Sequence, residues 1–145
     1  MANYYAQGEI GISFDIADGK NRRLAIYLAD WSRSSRSKKI EIVDSNGNVI
    51  DRRTIADSTG GIYAIWEVKG KFVIWMKDTT NFSTQTEFSA IFLDPVGNSP
   101  TPGPAPEPLP ITKVVGEDLV TKGNWVGKYG SEAWLVAGGQ QNLPQ

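Results

Sequence analysis

The feature that most constrains this chain is a hydrophobic period of two. Ile10, Ile12, Phe14 and Ile16 alternate with Gly11, Ser13 and Asp15, the pattern of a half-buried strand whose side chains point to opposite faces in turn. Leu24, Ile26 and Leu28 alternate with Ala25, Tyr27 and Ala29. Both faces of that segment are apolar, so a central strand covered on both sides is expected. Further strands are predicted around Ile40 and Ile42, over Val49 to Ile55, Ile62 to Val68, Phe72 to Met76 and Phe88 to Leu93, with Gly60-Gly61 and Gly70 between them. No segment joins a helix cap to an apolar stripe at helical spacing. Seven short, turn-separated strands predict an all-β fold: an antiparallel β-sandwich, jelly-roll-like. Asn46-Gly47 has the residues of a two-residue type I′ turn and predicts a hairpin there.

Alternation stops at a run of prolines. Pro95, Pro100, Pro102, Pro104, Pro106, Pro108 and Pro110 each lack an amide donor and fix φ, so 95–110 is expected to be an extended, semi-rigid linker. At about 3.1 Å per residue it would reach roughly 40–50 Å. The predicted division is a β-sandwich module over 1–94, N-terminally truncated on one reading, the Pro-rich linker 95–110, and a short partial β segment over 111–145. That last piece is too small to build a core alone. It is read as the start of a second module or as a docking tail.

Composition removes whole classes of chemistry. The chain has no Cys and no His, which excludes disulfides, thiolate nucleophiles, Cys- or His-ligated metals and His-based dyads. An enzyme built from it would need carboxylate pairs, a Ser-Lys dyad or a borrowed metal. Asp30, Glu41, Asp51 and Glu67 are available, but none sits in a recognisable glycosidase motif, and the chain is read as non-catalytic, without cofactor. Asp44-Ser-Asn-Gly-Asn48 lacks the Gly and Glu positions of an EF-hand loop. A structural calcium suits this fold class, but no stretch locates one. Fifteen basic against sixteen acidic residues give a net charge of −1, no general attraction for nucleic acid. The cluster Arg33, Arg36, Lys38, Lys39 reads as a solvated loop. The N-terminus lacks the pattern of a signal peptide, and no apolar run approaches a bilayer span.

Three stretches together resemble the second half of a bacterial extracellular module. They are Tyr27-Leu-Ala-Asp30-Trp31 followed by Arg36, Gly60-Gly61-Ile-Tyr63-Ala-Ile-Trp66, and Phe88-Ser-Ala-Ile-Phe92. The module is carbohydrate-associated, with a galactose-binding-like jelly roll. Val115 to Gly130, containing Gly123-Asn-Trp125-Val-Gly127-Lys-Tyr129, resembles the opening of the same module. In the family the opening comes first; here it comes last. The chain therefore reads as a cut from a tandem array or as a circular permutant. The resemblance implies a carbohydrate-binding or attachment module of a larger secreted or cell-surface protein, with a polysaccharide or glycan as partner. A structural spacer or adhesion repeat is the alternative. Exposed sheet edges would also allow self-association.

Candidate ligand-binding residues are aromatic side chains near polar ones, because a pyranose offers an apolar face to stack and hydroxyls to hydrogen-bond. Trp31 follows a strand end beside Asp30, with Arg33 and Arg36 in the next loop. By parity Trp66 belongs to the core, whereas Tyr63 is expected at the surface. Trp75 lies opposite Phe72, Ile74 and Met76, and Trp125 and Tyr129 sit among glycines; all three are candidates.

Overall fold

The computed structural model describes residues 4–31, 36–79, 85–96, 112–139 and 141–143. The strands are β1 (Tyr4–Gln7), β2 (Glu9–Ile16), β3 (Arg22–Leu28), β4 (Lys38–Asp44), β5 (Val49–Ile55) and β6 (Ile62–Val68), then β7 (Gly70–Asp78), β8 (Gln85–Phe88), β9 (Ala90–Pro95), β10 (Thr112–Asp118), β11 (Ala133–Val136) and β12 (Gln141–Asn142). Their pairings are antiparallel. One sheet runs β10-β6-β3-β9-β11-β12, the other β2-β7-β4-β5, and β1 pairs with β8 separately. The fold is an all-β antiparallel sandwich. The Pro-rich linker lies, save for its first residues, outside the described residues.

Alternation becomes two layers in the way the pattern requires. Leu24, Ile26 and Leu28 of β3 meet Ile40 and Ile42 of β4 and Phe72, Ile74 and Met76 of β7, all nearly or wholly buried. Each such aliphatic or aromatic side chain is worth about 1.5–3 kcal/mol on burial. The β1–β8 pair closes one end, Tyr4 stacking on Phe88 with ring centroids 5.0 Å apart. The opposite faces of the two sheets differ. That of the four-stranded sheet is solvated and laced by cross-strand ion pairs, Lys77 to Glu9 at 3.1 Å and Lys71 to Asp15 at 3.0 Å. That of the six-stranded sheet is apolar: Ala25, Tyr27, Tyr63, Ile65 and Phe92 form a second buried cluster.

Residues 112–142 supply β10, β11 and β12. β10 pairs with β6, from Thr112 opposite Val68 to Asp118 opposite Tyr63, and β11 pairs with β9, from Ala133 opposite Leu93 to Val136 opposite Ala90. The chain thus enters on one edge of the sheet and leaves on the other. Residues 119–132 cross the outer face between them as a strap.

The β4–β5 hairpin forms where Asn46-Gly47 predicted it, with a different turn. Gly47 N donates to Asp44 O at 3.1 Å and Asp44 N to Asn48 O at 2.9 Å. Gly47 has φ 88°, whereas Asn46 is not in the left-handed region, so this is a type I turn closed by a Gly bulge rather than type I′. The reason is Asp44: its carboxylate accepts from Asn46 N at 2.9 Å and Asn48 N at 2.8 Å, which stabilises the longer turn.

Candidate functional site

The strap is held by two carboxylates, one at each end. Asp118 Oδ1 accepts from Val120 N at 2.8 Å and Thr121 N at 2.9 Å, and its Oδ2 accepts from Tyr129 Oη at 2.7 Å. Burial pushes this carboxyl up, but the hydrogen bonds from Thr121, Tyr129 and Val120 outweigh it and hold it well below the usual range. Buried Asp94, at the end of β9, accepts from Gly130 N at 2.9 Å, Ser131 N at 2.5 Å and Ser131 Oγ at 2.7 Å. Arg22 forms an ion pair with Glu132. Tyr63 Oη donates to the Lys122 carbonyl.

Between these anchors the strap lays its aromatic side chains on the sheet. Tyr129 stacks on Tyr63 at 4.5 Å, which stacks on Tyr27 at 4.6 Å. Trp125 leans on Phe92 at 4.8 Å and meets Trp134 of β11 at 5.4 Å with the rings 50° apart. Burial and the bond to Asp118 raise the Tyr129 phenol, and burial raises that of Tyr63, so both stay protonated donors at any physiological pH. A groove of about 530 Å³ opens beside the strap, lined by Arg23, Asp94, Trp125, Lys128, Tyr129, Ser131 and Trp134 among others. The Arg23 guanidinium lies 5.7 Å from the centre of the Tyr129 ring. Among the described residues its Nη2 makes a long bond to Lys128 O at 3.4 Å and stands 3.8 Å from Asp94 Oδ2, which leaves donor capacity for another group.

The candidates from the sequence separate into three places. Trp125 and Tyr129 come together in this groove. Tyr63 does not reach the surface: it is fully buried, and the surface expectation is corrected, because the strap covers the face on which parity placed it. Trp31 is 43% exposed, but its neighbour Asp30 is buried, accepting from Arg36 N at 3.2 Å, while Asp30 N donates to Ser58 O at 3.0 Å. The Arg36 side chain faces Glu87 at 3.6 Å. Arg33 lies outside the described residues. Beneath that loop Lys38 is buried, its Nζ 3.3 Å from Ser58 Oγ. Burial lowers its pKa, and Glu87, Asp30 and Asp78 partly offset this.

Trp75 lies on the other sheet, 41% exposed. It covers Gly11 across the β2–β7 ladder, and Glu9, Lys39, Glu41 and Lys77 surround it.

Sequence reasoning missed Arg23, Asp94, Lys128 and Trp134 as site residues. Parity could have placed Arg23 on the face of Ala25 and Tyr27; nothing local could show that β11 docks beside β9. Among the described residues no group of three or more acidic side chains could hold a metal ion, and no helix is long and apolar enough to cross a membrane. No protein-family model, no curated protein and no solved structure matches this chain.

Proposed function

We propose that this protein is a non-catalytic carbohydrate-binding domain whose glycan site is the groove of Trp125, Trp134, Lys128 and Arg23. The observation that carries the reading is the pair of tilted indoles, centroids 5.4 Å apart, lining a groove with Arg23 and Lys128, the Lys128 ammonium lying 3.3 Å from Thr121 Oγ1 with further donors to spare. Indole faces suit the apolar face of a pyranose, while Arg23 and Lys128 offer donors to its hydroxyls. Asp94 and Asp118 then act as positioning residues, their oxygens spent on the strap. The reading keeps the carbohydrate-associated, galactose-binding-like character that the sequence suggests. It makes the domain one part of a larger secreted or cell-surface protein.

Retention in gels cast with a panel of soluble polysaccharides tests it. At least one polysaccharide should retard the protein, and Trp134→Ala should weaken that retention at least tenfold, about 1.4 kcal/mol, at a temperature where the variant, which also loses the packing of Trp134 on the second cluster, is still folded. Trp31→Ala and Trp75→Ala should leave it intact. No retention by any member of the panel would favour a structural spacer, and loss in Trp31→Ala alone would move the site to the other loop.

A further inference from the structure

The two sheets differ in width, and the excess lies at one seam. Along β5 and β10 the sandwich is closed by polar contacts. Trp66 Nε1 donates to Asp51 Oδ2 at 2.6 Å, Arg53 Nη1 to Gly116 O at 3.2 Å, and the Arg53 guanidinium lies 5.1 Å from the centre of the Trp66 ring. Among the described residues, the seam along β2 is open. There β11 and β12 carry the six-stranded sheet past β9, while the four-stranded sheet ends at β2. The step between them is an apolar groove of about 310 Å³, with Ile12, Phe14 and Ile16 on one side and Leu93, Leu135 and Leu143 on the other.

Three of the four edges of these sheets carry features that discourage pairing. β12 has two residues. β10 is broken by a bulge between Val114 and Gly116. β5 carries Arg52 and Arg53 and a register shift against β4. β2 is charged at its two ends, Glu9 and Asp15, and is otherwise unprotected. It runs for eight residues in unbroken register with β7, from Glu9 opposite Lys77 to Ile16 opposite Gly70, without Pro, Lys or bulge. Among the described residues β7 is its one ladder partner.

We propose that the β2 edge and its groove are a docking site for an extended peptide segment of a partner protein. The segment adds antiparallel to β2 as a fifth strand of the smaller sheet. Main-chain bonds supply affinity, and alternate apolar side chains turned into the groove supply selectivity. Its outward side chains at the two ends are basic, because Glu9 and Asp15, each about half exposed on that rim and paired with a β7 lysine through one carboxylate oxygen, would stand opposite them with the other oxygen. Against a second copy of this chain, the register that pairs most of β2 with itself, about Ile12, sets Glu9 against Asp15 at both ends, like charges that oppose it.

The probe is the acetylated, amidated peptide Lys-Val-Thr-Val-Ser-Val-Lys, titrated into the isotope-labelled full chain. Backbone shifts should concentrate in Glu9–Ile16 and around Leu135 and Leu143, and amides along β2 should exchange at least tenfold more slowly. Replacing the Thr and Ser of the peptide by Pro, which removes ladder donors, should weaken binding at least tenfold, and so should Leu143→Glu at an exposed position. Equal binding of the two peptides, shifts outside β2, or tighter binding of a peptide of residues 97–111 would overturn the proposal. So would concentration-dependent pairing of β2 with itself in the absence of peptide. None of these readouts involves a glycan, so the carbohydrate reading stands or falls separately.

Discussion

At the residue scale, two glycines show how the same substitution can have unequal consequences. Gly61 has φ 78°, and a Cβ there would strike the Tyr27 ring, with Cε2 and Cζ each 3.0 Å away. Tyr27 is buried and stacked on Tyr63, so it cannot withdraw. Gly61→Ala should destabilise by about 2–4 kcal/mol from backbone strain and overpacking together, measured by chemical denaturation. Gly11 is also crowded, its Cβ position 2.6 Å from Trp75 Cζ3. Here the obstacle is a partly exposed indole free to swing outward, and Gly11→Ala should cost less than about 1 kcal/mol while shifting Trp75 emission to longer wavelength.

Asp118 provides the pH test at the same scale. Its carboxyl is held below the ordinary value by the strap's hydrogen bonds. A group depressed on folding stabilises the fold above its unfolded value of about 3.9 and loses that contribution as pH falls toward its folded value. The strap should therefore loosen progressively below about pH 4, seen as falling amide protection over 119–132 once each rate is divided by the intrinsic rate at that pH. Asp118→Asn should show lower protection at neutral pH and little further change in protection over the acid range. An unaltered acid response in the variant would exclude Asp118 as the titrating anchor.

At the element scale, the strands of the first block were legible because alternation is a local property. The double-faced apolar character of Leu24 to Ala29 announced a covered strand, and β3 is central in its sheet. The strap was not legible. Trp125 and Tyr129 were noticed as aromatic residues among glycines, but no local pattern says that they rest on Phe92 and Tyr63. Tyr63 was misplaced for the same reason: parity assigns a side chain to a face, and whether that face meets water depends on what covers it. Replacing 123–128 by a shorter Gly-Ser link should uncover Phe92, visible as increased binding of an apolar fluorescent dye.

At the scale of the whole molecule, the interest lies in what joins β9 to β10. Pro95, Arg22, Val68 and Thr112 stand in one row across the sheet. Three strand spacings of about 4.8 Å put the ends of the intervening segment roughly 14 Å apart, while its residues could reach about 50 Å when extended. Chain continuity is therefore a weak constraint on the tail, whose attachment rests on two ladders and the aromatic cluster. A protease cut between residues 96 and 112 should leave two pieces that co-elute and separate only in denaturant. Residues 1–96 expressed alone should lack a cooperative transition, because Tyr63, Phe92 and Ile65 would lose their cover at about 1.5–3 kcal/mol each against a total stability of about 5–15 kcal/mol. A sharply melting 1–96 piece would show the tail to be dispensable.

The sequence by itself determined the class of fold, the residues of the inner core and the exclusion of cysteine and histidine chemistry. All three follow from side-chain identity and a period of two along one strand. Which strands lie side by side was decided only in three dimensions. A ladder forms between any two strands whose edges and faces match, however far apart in the chain, so neither the groove beside Trp134 nor the open edge of β2 could be read before the tail was seen to pair on both flanks of the sheet.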